Sequence, residues 1–370
     1  MNVIDLFSGA GGLSLGFEKA GFDVILANEY DREISNTYRL NHPHTLMVDS
    51  DIKEFVKDME GTIGRCLEKN QFIQPESLFK KLDNIDVIIG GPPCQGFSMA
   101  GGRIRKVNEF VEDPRNELFK YYFEVIKRFE PKYFVFENVL GILSSKKGEI
   151  VRTIKSIFED KNNFKNGRYY VSINIVNASD FGVAQARKRV IIFGSKAECD
   201  FNDLKQKTLN RLREHSDNRF DARPTVYDAI SDLQKIAPSS NNGVPNHTAT
   251  KHSEVAKMRM KKIQPNQNWS VLHENIKSIH SGSYGRLDWN KPATTITTRF
   301  DTPSAGRYIH PVLDRTLTPR EAARIQSFPD DYIFYGSKSS ICKQIGNAVP
   351  PLLAEFIANI IITLDYDTKR

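Results

Sequence analysis

Val3-Ile4-Asp5-Leu6-Phe7-Ser8-Gly9-Ala10-Gly11-Gly12 stands almost at the start of the chain. Residues 3–7 read as a short buried strand. The glycines behind them read as a tight turn that leads into a helical pattern running to Ala20. Glycine at such a turn lets the backbone come close to a ligand and opens a helix amino terminus beside it. A dinucleotide site needs GxGxxG, and Ser14 occupies the third glycine position; the GK[ST] of a phosphate-binding loop is absent. The turn therefore suits a nucleoside without a pyrophosphate, with a tight turn that binds nothing as the competing reading.

Outward from this turn, strand and helix patterns alternate. Strands are expected at 22–27, 45–48, 85–89, 133–136, 169–176 and 189–193, and helices at 31–40, 116–129 and 149–158. This order predicts an open α/β sheet with helices on both faces, which binds ligands beyond the carboxyl ends of its strands. Glu29, Asp51, Cys94 and Glu137 each stand just after an expected strand, so independent strand ends converge on one cleft. A carboxylate at the Glu29 position can accept both ribose hydroxyls, and Asp51 can accept from an adenine amino group. As isolated acids, both also fit solvated loop positions.

With 370 residues the chain can hold two domains. Its formal charge of +7 suits a polyanionic partner without establishing one. The four cysteines, Cys66, Cys94, Cys199 and Cys342, form no CxxC pair, which argues against structural zinc and for reduced thiols in the cytoplasm. No basic segment precedes an apolar run at the amino terminus, and the apolar runs at 86–91 and 356–364 are too short to span a bilayer; no membrane role is expected. After Ser195 the pattern changes to turn formers, basic residues and histidines. Short strands and long loops are expected there, followed by a helix over 320–326 and an apolar helix over 352–364. The expected division is 1–195 for a cofactor-binding and catalytic domain, 196–315 for a smaller domain, and 316–370 as a segment that completes the first.

The stretch Gly90-Gly91-Pro92-Pro93-Cys94-Gln95-Gly96-Phe97-Ser98 carries the most chemistry. Two prolines fix the backbone before the cysteine, and rigid placement is what a nucleophile needs; an inert thiol is the alternative. Glu137, emerging from an apolar strand, is a candidate acid, or else a strand-end carboxylate paired with an arginine of Gln185-Ala186-Arg187-Lys188-Arg189. Those arginines can grip a phosphate or a base carbonyl. A thiol, an acid and a nucleoside site together match methylation of a pyrimidine ring carbon. Thiolate attack on carbon 6 of cytosine makes carbon 5 enamine-like, and a hydrogen bond at N3 stabilises the charge that develops. Carbon 5 then takes a methyl group from a sulfonium, and no metal is required. In duplex DNA the base must first leave the stack, at a cost of a few kcal/mol. The glycine-rich basic loop 95–113, with Arg103, is a candidate for closing on it.

These motifs resemble, in order, those of bacterial DNA (cytosine-5)-methyltransferases. The resemblance covers nearly the whole chain and is weakest over 200–290. It implies a Rossmann-like S-adenosylmethionine-dependent domain with a smaller target-recognition domain. It places Phe7, Gly9, Gly11, Gly12, Leu13, Glu29, Asp51, Ile52, Pro92 and Leu118 around the cofactor, with Asn347 and Val349 of Gly346-Asn347-Ala348-Val349-Pro350 at its methionine end. Cys94 and Glu137 match the catalytic pair, Arg187 and Arg189 the arginine motif, and Pro93, Gln95, Ser98 and Asn138 the substrate pocket. Arg320–326 resembles the segment that supports the recognition domain. Ser50 stands where relatives often have glycine, and residues 53–82 are expected to add a surface helix or loop. The resemblance implies S-adenosyl-L-methionine as cofactor, S-adenosyl-L-homocysteine as product, double-stranded DNA as substrate and a monomer in the bacterial cytoplasm. A cognate restriction endonuclease acting on the same site is a family-level expectation.

Sequence reading is expected from 200–315. Ser283-Tyr284-Gly285-Arg286 and Thr294–Arg299 are candidates for a DNA groove, the latter equally a core strand, and Lys251–Lys262 for phosphates or a solvated helix face. Three rival readings remain: methylation of RNA by the same chemistry, a DNA-binding module without catalysis, and an NAD-dependent dehydrogenase. The last gives no reason for Cys94, Glu137 and Arg189 together.

Overall fold

The structure is a computed structural model and describes residues 1–70, 73–92, 117–239, 243–272 and 281–369. The chain divides into two compact units. The first comprises Met1–Val176, Lys188–Asp217 and Ala354–Arg370; the second comprises Asn177–Arg187 and Asn218–Leu353.

The first unit is built on a mostly parallel sheet. In chain order its elements are β1 (Asn2–Leu6), α1 (Gly12–Lys19), β2 (Asp23–Asn28), α2 (Arg32–Asn41), β3 (Leu46–Val48), α3 (Ile52–Lys57), α4 (Met59–Glu68), α5 (Pro75–Leu82), β4 (Val87–Gly90), α6 (Glu117–Phe129), β5 (Tyr133–Asn138), α7 (Gly141–Ser144), α8 (Glu149–Glu159) and β6 (Tyr170–Asn177). After β7 (Gln185–Ala186) come β8 (Lys188–Ser195) and α9 (Phe201–Glu214). The sheet order is β3-β2-β1-β4-β5-β8-β6. Pairing is parallel from β3 through β5 and antiparallel between β5 and β8. The order reverses at the β1/β4 boundary, and that reversal opens a crevice at the carboxyl ends of the strands.

Strands β1, β4 and β5 are near-continuous apolar runs because helices cover both faces of the sheet. Their side chains share one core with Phe119, Tyr122, Phe158 and Tyr169. Segment 53–82 departs from the expectation of a surface addition. It forms α3, α4 and α5, and Phe55, Ile63, Leu67, Leu78 and Leu82 are buried in that core. The spacing Ile63–Leu67 and Leu78–Leu82 is one helical turn, which puts each pair on one face.

The compact units do not follow the boundaries at 195 and 315. Residues 196–217 belong to the first unit because α9 packs on the last helix, of which Ala354 onward lies in this unit: Thr208 bonds Thr363 at 2.9 Å, and Arg211 donates to the Asn359 side chain at 2.7 Å. Residues 316–353 belong to the second unit, where they supply much of its buried polar framework.

That unit contains β7, α10 (Val226–Ile230), α11 (Glu254–Lys261), β9 (Ala293–Thr294), α12 (Pro319–Ile325), α13 (Lys338–Asn347) and the first residues of α14 (Pro351–Thr368). Among the described residues its ladder, β7 with β9, is two residues long on each side. One of its apolar clusters is small: Met260, Ile263, Leu272, Tyr284 and Ile309. Loops that run through a core carry carbonyls that no ladder satisfies, and buried carbonyls need donors. Arginines supply them here. Arg286, 3% exposed, donates to the carbonyls of Met260, Ile263, His310 and Leu313 and pairs with Asp314. Arg320 reaches the carbonyls of Pro245, Pro329 and Tyr332. Arg315 holds Glu321 through two bonds of 2.7 and 2.6 Å, while Glu321 closes a capping box with Thr318 at the start of α12.

Candidate active site

The glycine turn follows β1 as expected, and it is conformationally unusual. Phe7, Gly9 and Gly11 all have positive φ (56°, 56° and 85°), which glycine adopts freely and phenylalanine does not. The bend is held by Ser8 N donating to the Asn28 carbonyl and by Gly11 N donating to the Ser8 carbonyl, each at 3.0 Å. A Cβ built on Gly9 meets no atom within 4 Å, so the turn faces open space among the described residues. Gly12 and Leu13 begin α1 and are buried.

Glu29, at the end of β2, is 8% exposed. Its Oε2 accepts from Gly9 N at 3.2 Å and its Oε1 from Asp31 N at 3.0 Å. Burial raises its carboxyl above the usual value, and those two amides offset only part of that rise. Tyr30 follows with its side chain 73% exposed, a flat surface beside the acid. Asp31 caps α2 by accepting from Glu33 N and Ile34 N, a contribution of about 1 kcal/mol that fixes the chain direction after the acid. Asp51 caps α3 through Lys53 N and is exposed, while Ile52 is in the core. Asn28 ties β2 to the third strand end through the carbonyls of Val48 and Ser50. An open glycine turn, a two-oxygen acid and an exposed aromatic ring fit an adenosine, with no cradle for a pyrophosphate.

A second set of groups gathers at the ends of β4 and β5, two to three strand spacings from the strand that carries Glu29, or about 10–14 Å. Glu137, 9% exposed, pairs with Arg189 at 2.9 Å between Oε1 and Nε, which is the arginine pairing that stood in the sequence as the alternative to an acid role. The antiparallel run of β8 explains this. Arg189 stands at the start of β8, one residue before Val190, which faces Asn138, and so lies at the same sheet edge as the end of β5. Gly91 approaches the other oxygen: a Cβ there would sit 3.2 Å from Glu137 Oε2. Pro92 is buried, and its carbonyl accepts from Asn138 Nδ2 at 3.0 Å. Asn138, expected in the substrate pocket, therefore uses its amide to hold the turn. Leu118, on α6, packs partly buried against the core. Pro93, Cys94, Gln95, Ser98 and Arg103, and with them the loop 95–113, lie outside the described residues.

The second unit places its expected residues differently. Arg187, grouped with the catalytic residues, is 1% exposed and donates to the carbonyls of Ile296 and Gly346 at 2.9 Å each. It braces backbone inside this unit. Arg286, expected in a DNA groove, is consumed by the carbonyls named above, which corrects that expectation: its charge faces inward. Arg299 is exposed, and Ile296 beside it is buried, so the 294–299 segment is anchored at one residue and exposed at others. Asn347 is exposed at the end of α13 and Val349 is buried. On α11, Lys257 and Lys261 are exposed, as is Lys262 at its carboxyl cap, while Met260 anchors the helix.

Two features escaped the sequence reading. Tyr30 could have been found as an aromatic residue directly behind a strand-end acid. Asp5 could have been found as a charge inside an otherwise apolar strand. Its carboxyl is fully buried, accepts from Ser14 Oγ at 2.7 Å, and is pushed up to about 8 by burial. Among the described residues, no group of three or more His, Cys, Asp or Glu is placed to hold a metal ion.

A model of the C-5 cytosine-specific DNA methylase family matches residues 1–363. Type II methyltransferase M1.HphI of Haemophilus parahaemolyticus is 34% identical over 371 residues, covering 99% of this chain and 87% of that protein. Type II methyltransferase M.NgoPII of Neisseria gonorrhoeae is 35% identical over 373 residues, covering 98% and 95%. Among solved structures, a DNA modification methyltransferase encoded within an E. coli prophage superposes with a TM-score of 0.68 at 28% identity, covering 99% of each chain. The Dnmt2 methyltransferase of S. pombe shares the fold, with a TM-score of 0.58 at 17% identity over 100% and 99% of the chains. The matched span and the level of identity agree with the strand-end chemistry, and the chain belongs to the C-5 cytosine-specific DNA methylases, S-adenosylmethionine-dependent enzymes that methylate DNA.

Proposed function

We propose that this enzyme draws one cytosine out of duplex DNA and methylates it by covalent catalysis through Cys94. The observation that carries the reading is the Glu137–Arg189 pair beside Gly91, three residues ahead of Cys94, at the carboxyl edge of the sheet. The Cys94 thiolate forms a bond to carbon 6, and the carbon 5–carbon 6 π pair moves to carbon 5. With a base in the pocket, Glu137 exchanges its contact with Arg189 for a proton-bearing contact at N3, and Arg189 turns to the base carbonyl; both act in a largely buried place, where such bonds are strong. S-adenosylmethionine, when bound, would supply an electrophilic methyl group that bonds to carbon 5 as its bond to sulfur breaks, the electron pair staying on the S-adenosyl-L-homocysteine sulfur. Loss of the carbon 5 proton to a base then lets the sulfur–carbon 6 bond break, and the ring double bond returns. The chemistry calls for no metal.

The nucleoside side of the site is assigned to Gly9, Gly11, Glu29, Tyr30 and Asp51. Phe7, Gly12, Leu13, Ile52, Pro92 and Leu118 shape it, and Asn347 and Val349 serve the methionine end. Pro93, Gln95 and Ser98 belong to the base pocket. Exposed Arg299, Lys257, Lys261 and Lys262, with Arg103, are assigned to DNA. The setting is the modification half of a bacterial restriction–modification pair, acting as a monomer in the cytoplasm with a cognate endonuclease for the same site.

Cys94→Ala tests the covalent step. Transfer of labelled methyl to duplex DNA falls to background while the variant binds S-adenosylmethionine as the wild type does. Near-normal transfer by Cys94→Ala removes the cysteine from the reaction.

A further inference from the structure

We infer that Asn138 is a positioning residue whose carboxamide seats the turn that presents Cys94, and that it does not read the substrate. The inference rests on the covalent reading above. Three backbone approaches fix the chain as it leaves β4. Gly90 lies against the end of β1, where a Cβ would come within 2.5 Å of the Leu6 carbonyl oxygen and 3.1 Å of the Tyr122 ring. Gly91 lies against Glu137, where a Cβ would be 3.2 Å from Oε2. Pro92 is then held by its carbonyl, which accepts from Asn138 Nδ2 at 3.0 Å.

The orientation of the Asn138 amide is set from its other end. Its Oδ1 accepts from the Val139 amide at 2.9 Å, so its nitrogen must face Pro92. Asn138 is 4% exposed and is the last residue of β5, a strand buried along its whole length. The bond is therefore made from a rigid element, in a place where water does not compete. Cys94 follows the held carbonyl by two residues, and Pro93 between them has its φ fixed by its ring. The same strand end carries Glu137, so one element sets both the acid and the turn that bears the nucleophile.

An aspartate at this position keeps the shape and keeps an acceptor for the Val139 amide, but turns an acceptor oxygen toward the Pro92 carbonyl. Asn138→Asp and Asn138→Ala therefore both release the turn, the first without removing volume. Misplacement of a reacting group by about 1 Å slows a reaction on the order of 100-fold.

The test uses the full-length enzyme, S-adenosylmethionine and a long duplex in which 5-fluorocytosine replaces cytosine in one strand. Fluorine cannot leave carbon 5 as a proton does, so the sulfur–carbon 6 bond persists and the complex is counted on a denaturing gel. Asn138→Asp is expected to lower kcat and the trapping rate together by about 100-fold, with KM for DNA and the Kd for S-adenosylmethionine near wild-type values and Tm lowered by the buried charge. Trapping within twofold of wild type overturns the inference. So does a variant that loses cofactor affinity in step with kcat, because Asn138 then supports the fold as a whole. A wild-type enzyme that methylates DNA yet forms no trapped complex overturns the covalent reading, and the inference falls with it.

Discussion

Asp5 is the one charged side chain in β1, and its surroundings explain how it is tolerated. Tyr38 and Ser14 share a 2.6 Å hydrogen bond, and Ser14 donates to Asp5 Oδ2, so a polar chain links β1, α1 and α2, the elements that flank the nucleoside site. Oδ1 has no hydrogen-bond partner among the described residues. A buried carboxylate so weakly compensated is unfavourable in its charged form. Burial, with the charges of Glu18 and Glu29 adding to it, pushes the carboxyl up to about 8 from 3.8. Between those values the unfolded chain has released the proton that the folded chain retains. Stability is therefore greatest below 3.8 as far as this group is concerned, falls as pH rises toward 8, and levels off above. Asp5→Asn removes that slope. Urea unfolding followed from pH 5 to pH 8 should show the variant gaining on the wild type as pH rises. A constant difference across the range means that Asp5 is ionised in the fold.

At the scale of elements, apolar runs made the sheet legible. The strands expected at 85–89 and 133–136 form as Val87–Gly90 and Tyr133–Asn138, because continuous apolar segments between turn formers bury well between helices. The arginines were not legible in the same way. A guanidinium offers the same donors to a phosphate as to a buried carbonyl, so Arg187 and Arg286 look in sequence like Arg299. Only the fold separates the inward pair from the exposed one. The second unit leans on such groups, and Arg315–Glu321 is its best-defined pair, with Glu321 fully buried. Burial pushes the Glu321 carboxyl up, but the two bonds from Arg315 outweigh it and hold the group below its ordinary value. Glu321→Gln leaves Arg315 without its counter-charge, and breaking a buried pair costs about 3–5 kcal/mol. Thermal unfolding of the variant should show a large loss of stability. A change under about 0.5 kcal/mol, the range of an exposed substitution, would show that the pair contributes little.

For the whole molecule, the formal charge of +7 is a poor guide by itself, because part of it is turned inward onto carbonyls. The proposed reaction rests on the order of strand ends: Gly9 and Glu29 behind β1 and β2, then Glu137 and Arg189 where β5 meets β8, with Cys94 following β4 in sequence. Candidate DNA-reading residues were legible only as types, since they stand in segments without periodicity. The most direct measurement is transfer of labelled methyl from S-adenosylmethionine to a diverse duplex library, read at base resolution. The account predicts 5-methylcytosine at one fixed position within one short recurring sequence. Label on adenine, on the exocyclic nitrogen of cytosine, or on RNA in preference to duplex DNA would contradict it.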